Sequence, residues 1–163
     1  MEAVLAEARA TDWALWDVRP ANRLWAYRPE SVPAAFDGIA AVRDEAGAQA
    51  ANNRLMNALG HDHSGTPYPA MVPGARLLAE LVPLLHGWQL ATVLEALTYC
   101  FGWTHGDGEF VANDGRTYNL GDDTAQAVRS VRPTLVQLVR RDDAEQARPS
   151  AIELLEALDE DLS

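Results

Sequence analysis

Trp88-Gln89-Leu90-Ala91-Thr92-Val93-Leu94-Glu95-Ala96-Leu97-Thr98-Tyr99-Cys100-Phe101 is the stretch that decides the fold. Leu90, Leu94, Leu97 and Phe101 recur at three- and four-residue spacing, so a helix gathers them on one face. Thr92, Glu95 and Tyr99 then fall on the other face. Working upstream, Leu77, Leu78, Leu81 and Leu85 form an apolar stripe that Pro83 bends or ends. Pro69 and Pro73 suit first helical turns, where a missing N–H costs little. Ala51, Leu55 and Leu59 predict a further helix that Gly60 ends, with Asn53 and Asn57 on its other faces. Phe36, Ile39, Val42 and Ala46 predict one that starts near Ser31 and stops at Gly47.

The first thirty residues carry Trp13, Trp16 and Trp25. Trp13 and Trp16 share a helical face with Leu5 and Ala8, and Pro20, Pro29 and Pro33 make 19–30 an irregular connection. Tryptophans this close together either pin a flap to a core or form an exposed aromatic surface. The flap is the reading taken here.

Downstream, one segment departs from the helical pattern. Glu109-Phe110-Val111-Ala112 and Arg116-Thr117-Tyr118-Asn119-Leu120 flank Asn113-Asp114-Gly115, residues that tolerate the positive φ angles of a tight turn, which predicts a β-hairpin. Asp122 and Asp123 open the next helix and Arg140 and Arg141 close it, both signs matching the helix dipole. Val128, Val131, Leu135 and Leu138 form its seam, kinked at Pro133. Ser150 and Glu153 stand in capping-box spacing ahead of Ile152, Leu155, Leu158 and Leu162. The expected architecture is a mostly all-α single domain over 1–163. Its Trp-rich flap (1–30) packs on a helical core (31–163) with a hairpin insertion at 104–121. Six to eight short helices in antiparallel pairs form an irregular bundle or a short α-solenoid.

Charge bounds the partners. The formal net charge is −11, from 24 acidic against 13 basic residues. Phosphate binding needs a basic face, so nucleic acid and anionic membrane are poor partners, and a basic protein partner is the sharper expectation. No apolar run reaches the roughly 18 to 20 residues that span a bilayer. Met1-Glu2-Ala3-Val4 lacks the basic start of a signal peptide, so a cytoplasmic setting is expected. Cys100, the single cysteine, lies in an apolar helix and reads as a structural thiol.

Chemistry-bearing motifs are few. His61-Asp62-His63-Ser64-Gly65 places two imidazoles one residue apart, as metal ligands would be. A third ligand would have to come from His86, His105 or Asp107, and the alternative is a polar loop whose Asp62 or Ser64 caps a helix. Ser64 lacks the Gly-x-Ser-x-Gly frame of a nucleophile elbow. The acids around Gly115 fail the EF-hand pattern, because Phe110 stands where the first carboxylate is needed. No cofactor is implied.

His63-Ser64-Gly65-Thr66-Pro67-Tyr68-Pro69-Ala70-Met71-Val72-Pro73, then Leu77-Leu78-Ala79-Glu80-Leu81 and the Trp88 helix, resemble small bacterial HEAT-like helical-repeat proteins. There a turn of this type leads into a leucine-rich helix and a Trp begins the next. The resemblance covers about 53–97 and implies an immunity or antitoxin protein, one that neutralises a basic toxin domain by occluding its active site. The hairpin and the Trp-rich start depart from the repeat pattern. Such an inhibitor needs no catalytic residue. Asp107, Glu109, Asp114, Asp122 and Asp123, with Trp103, Phe110 and Tyr118 as anchors, are the expected contact surface. The alternatives are a metal-dependent hydrolase using His61 and His63, and a helical-repeat adaptor without a toxin.

Overall fold

The decisive stretch is helix α5, Gly87–Gly102 in the computed structural model. The structure describes residues 1–18, 27–61, 66–103 and 108–160, except the side chains of His61 and Glu160. Leu90, Leu94, Leu97 and Phe101 are buried as expected, but so are Thr92, Val93, Ala96 and Cys100. Thr92 was expected to face solvent. Instead it is fully buried, its hydroxyl satisfied by donating to the Trp88 carbonyl at 2.8 Å. A helix buried this far around its circumference is a central helix.

The other helices surround it. Helices α2 (Ser31–Ala40), α3 (Glu45–Leu59), α4 (Met71–Leu81), α6 (Leu120–Arg129) and α8 (Arg148–Glu160) all pack on α5. A solenoid repeat touches only its sequence neighbours, so this pattern is that of the irregular bundle. One large core cluster runs through all these helices, and a small one of Val42, Ala48 and Ala51 joins it through Trp88. The Leu59 side chain, at the end of α3, sits against Gly74 of α4: a Cβ there would come within 2.6 Å of Leu59 Cδ2.

Several boundaries differ from expectation. Gly47 does not stop a helix, because α2 ends at Ala40 and Asp44 opens α3 by accepting from the Gly47 N–H at 2.8 Å. Ala46 is accordingly exposed, outside the Phe36, Ile39, Val42 stripe. Pro133 breaks its helix completely: α6 ends at Arg129, four residues before the ring that would clash with that carbonyl, and α7 (Arg132–Leu138) takes the proline in its first turn. Helix α8 begins before Ser150, so the expected capping box does not form. Its buried residues are Ala151, Leu154 and Leu158, whereas Ile152 is exposed and Leu155 half-buried. Leu162 lies outside the described residues.

At the N-terminus, α1 (Glu2–Ala10) stops short of the tryptophans, and Asp12 caps a separate 3-10 turn over Trp13–Trp16. Trp13 is buried, donates its indole N–H to the Ala8 carbonyl at 2.7 Å and stacks on Phe36. That is the pinned flap, reached by a turn instead of a continued helix. Trp25 lies outside the described residues.

Two small antiparallel ribbons complete the chain. Strands β1 (Gly60–His61) and β2 (Thr66–Pro67), which the sequence reading missed, form the first. Trp103 lies over it so tightly that a Cβ on Gly60 would come within 2.5 Å of the indole. The expected hairpin is β3 (Glu109–Val111) with β4 (Thr117–Asn119), Phe110 opposite Tyr118. Only Gly115 uses a positive φ, +81°; Asn113 and Asp114 do not.

Candidate functional site

The hairpin offers less free acidity than its sequence promised. Asp114 accepts from the Arg116 backbone N–H at 2.9 Å and faces the Tyr118 hydroxyl. Asp123 accepts from the Asn119 N–H at 2.8 Å while Asn119 accepts from the Asp122 N–H, a reciprocal cap on α6. Glu109 and Asp122 are exposed. Phe110 and Tyr118 are half-buried and close around Trp16, with ring centroids 6.2 and 4.7 Å from it. Asn113 bonds back to the Ala14 and Leu15 carbonyls. The three aromatic rings therefore hold the hairpin to the N-terminal turn, and Trp103 covers Gly60. Asp107 lies outside the described residues.

Three carboxylates distant in sequence meet elsewhere, in a cleft of about 570 Å³ between the start of α3, the first half of α5 and the approach to α8. Each wall contributes a carboxylate: Glu45 from α3, Glu95 from α5 and Glu145 from the turn before α8. Trp88 forms part of the wall, half-buried where it joins the two core clusters. Several acids elsewhere are neutralised: Arg9 holds Glu2 and Asp37, Arg76 holds Glu7 and Glu80, Arg132 holds Asp159, and Arg141 holds Asp143. Among the described residues, Glu45, Glu95 and Glu145 have no arginine partner.

The cleft carries an electrostatic cost. Burial holds the Glu95 carboxyl above the usual glutamate range, nearby Glu153 adds to the shift, and the Asn52 side chain opposes it. Asn52 itself is 3% exposed, and its Oδ1 has no hydrogen-bond partner. A buried amide oxygen without a partner, beside a carboxylate disfavoured in its charged form, is a costly polar arrangement. A cation in the cleft would relieve the carboxylate.

No protein-family model matches this chain, and neither does any curated protein or solved structure. Helical spacing brings Glu45 and Gln49 together on α3, and Trp88, Ala91 and Glu95 together on α5. These relations are legible in the sequence, but the approach of α3, α5 and α8 to one another is not.

Asp62, His63, Ser64 and Gly65 lie outside the described residues, as does His105, and only the backbone of His61 is described. His86 is exposed ahead of α5. Among the described residues no group of three His, Cys, Asp or Glu side chains converges. Cys100 is fully buried and its thiol is pushed up to about 12, which leaves it unreactive at neutral pH. No helix among the described residues is long and apolar enough to cross a membrane.

Proposed function

We propose that this chain is a non-enzymatic binding protein for a basic protein partner, of the immunity or antitoxin kind that its 53–97 resemblance implies. The observation that carries the reading is the α3–α5–α8 cleft, where unpaired Glu45, Glu95 and Glu145 surround the half-buried Trp88. An indole wall with carboxylates around it suits a guanidinium or ammonium side chain, through cation–π attraction and charge-assisted hydrogen bonds. The net charge of −11 adds long-range steering toward a basic surface. Such a protein acts by covering a partner's site, so it needs a rigid scaffold and anchor pockets instead of a nucleophile. Glu109 on the hairpin and Asp122 on α6 are exposed acids outside the cleft and serve as the comparison for mutation.

The test is co-expression with the protein encoded by the adjoining gene. The expected result is relief of growth inhibition and a complex whose association slows steeply with salt. The double variant Glu45→Lys/Glu145→Lys should weaken that complex more than Glu109→Lys/Asp122→Lys does. Persistent toxicity with no complex at low salt overturns the reading.

A further inference from the structure

The second cleft of the molecule has the opposite chemistry. It occupies about 550 Å³ between α2 and α3, with Ala34, Ala35 and Ala58 as floor and Arg28, Arg54, Ser31 and Asn57 around it. Helical spacing explains the lining. Ser31, Ala34 and Ala35 share a face of α2, and Arg54, Asn57 and Ala58 share a face of α3. Small residues on both sides leave an open groove where larger ones would have interlocked.

The arginines are the unusual feature. Acids outnumber bases 24 to 13, so an exposed guanidinium has ample carboxylate to pair with. Arg9, Arg76, Arg116, Arg132 and Arg141 hold carboxylates, and Arg43 and Arg148 donate to backbone carbonyls. Among the described residues, Arg28 and Arg54 have neither kind of partner. Arg140 is also unpaired, but it lines neither cleft. Arg54 reaches from α3 across to α2, where its Nη1 would be 3.5 Å from a Cβ built on Gly38. Arg28 stands just before α2, with its backbone carbonyl accepting from the Ser31 hydroxyl at 2.7 Å. The groove is thus flanked by two unpaired cations over an apolar floor. The chain contains no lysine, so both are guanidiniums, charged at any physiological pH and shaped to fork onto an oxyanion.

We infer that this groove binds a small organic carboxylate whose apolar body lies on the alanine floor. The volume falls within the range of small-ligand sites, which run to about 300–1,000 Å³ with mostly apolar linings and a few placed polar groups. A guanidinium supplies the charge-assisted, bidentate hydrogen bonds that orient the head group. The alanines supply the contact that separates such a ligand from inorganic anions. This site is independent of the acidic cleft and does not rest on the proposal made for it.

The experiment is a titration of the ¹⁵N-labelled full chain followed by amide chemical shifts. The probes are 2-naphthoate, its neutral analogue 2-naphthylmethanol, and inorganic phosphate. Naphthoate is expected to shift the Ala34, Ala35 and Ala58 amides saturably at roughly millimolar concentration or below. The alcohol and phosphate should each bind at least about tenfold more weakly, lacking the head or the body. Arg54→Gln should weaken naphthoate by at least about tenfold as well. Ala34→Leu, at an exposed position, should abolish binding by filling the floor while leaving both arginines in place. Spectra of each variant report folding directly. Glu45→Lys/Glu145→Lys should leave the titration unchanged, so failure here and failure of the acidic-cleft reading are separable. Equal binding of naphthoate and the alcohol, shifts centred away from the alanine floor, or unchanged affinity in Arg54→Gln would each overturn the assignment.

Discussion

Helix α3 shows two different solutions along one cylinder. Its first turns give Glu45 and Gln49 to the cleft shared with α5 and α8; its last turns give Arg54, Asn57 and Ala58 to the groove shared with α2. The clefts are nearly equal in size, about 570 and 550 Å³, yet one is walled by unpaired carboxylates and the other by unpaired guanidiniums. The acid sits in the first turn of the helix, where the dipole favours it, and the base lies further along. Separating them along the helix keeps the two signs from neutralising each other within a single salt bridge. The difference teaches where to look for function in an acidic protein: at charges left without partners, of either sign, and not at the density of acids in the sequence.

The strongest way to break the comparison is to remove the wall both clefts share. Leu59 is fully buried at the end of α3, and its side chain fills the space that Gly74 of α4 leaves open. Leu59→Ala is expected to cost about 2 to 5 kcal/mol in urea unfolding, as buried leucine truncations do. Binding at both clefts should weaken together in that variant. Loss at one cleft alone would mean that α3 is not their common support. Next in size is Trp88→Ala. Trp88 joins the small core cluster to the large one while lining the acidic cleft, and it is half-buried. A loss of about 3 kcal/mol is expected, at the low end for a large aromatic. It should carry the partner-binding anchor with it but spare naphthoate binding in the basic groove, provided the variant is assayed below its melting temperature.

Much of the scaffold is legible in the sequence, and particular residues show why. Leu90, Leu94, Leu97 and Phe101 announce α5 because one face of that helix is uniformly apolar. Asn113-Asp114-Gly115 announces the hairpin because few other residues fit such a turn. Boundaries were harder: Asp44 and Pro133 each decide a break through a local hydrogen bond or clash that periodicity does not register. Thr92 misled because a hydroxyl that bonds to its own helix can be buried cheaply. The clefts were invisible for a different reason. Glu45, Glu95 and Glu145 are spread across a hundred residues, and only the packing of α3, α5 and α8 brings them together. Conversely, the hairpin acids looked like a patch because they are close in sequence, yet Asp114 and Asp123 are occupied in a turn and a helix cap.

Charge reversal sharpens the contrast between cleft and hairpin. Glu45 and Glu145 are exposed and unpaired, so Glu45→Lys/Glu145→Lys is expected to leave the fold intact by circular dichroism. It should slow association with the basic partner about tenfold at low salt, the lower edge of electrostatic steering effects, and flatten the salt dependence. Glu109→Lys/Asp122→Lys on the hairpin side should change the rate by less than about twofold, since those charges lie outside the cleft. Stopped-flow kinetics at two salt concentrations distinguish the two. A larger effect from the hairpin pair would move the interface there.

The smallest expected effect is also the one that tests whether the acidic cleft is held ready for a cation. Burial keeps the Glu95 carboxyl above its ordinary range, with Glu153 reinforcing the shift. A carboxyl whose folded pKa exceeds its unfolded value holds its proton more tightly in the folded chain. Its contribution to stability is therefore complete below about pH 4, near the unfolded value, and is lost as pH rises through the raised folded value. Glu95→Gln removes that loss. The variant should gain on the wild type as pH climbs from about 4 toward neutrality, by under about 1 kcal/mol because the side chain is only partly buried, and stay level thereafter. Partner binding should move the other way. A guanidinium in the cleft favours ionised Glu95, so wild-type affinity should rise over the same pH window, and Glu95→Gln should bind more weakly with a flatter pH profile. Urea unfolding and affinity measured at matched pH values check both signs. A Glu95→Gln chain less stable than wild type at neutral pH would show that the carboxylate is already satisfied, and a cleft whose carboxylate needs nothing is not waiting for a cation.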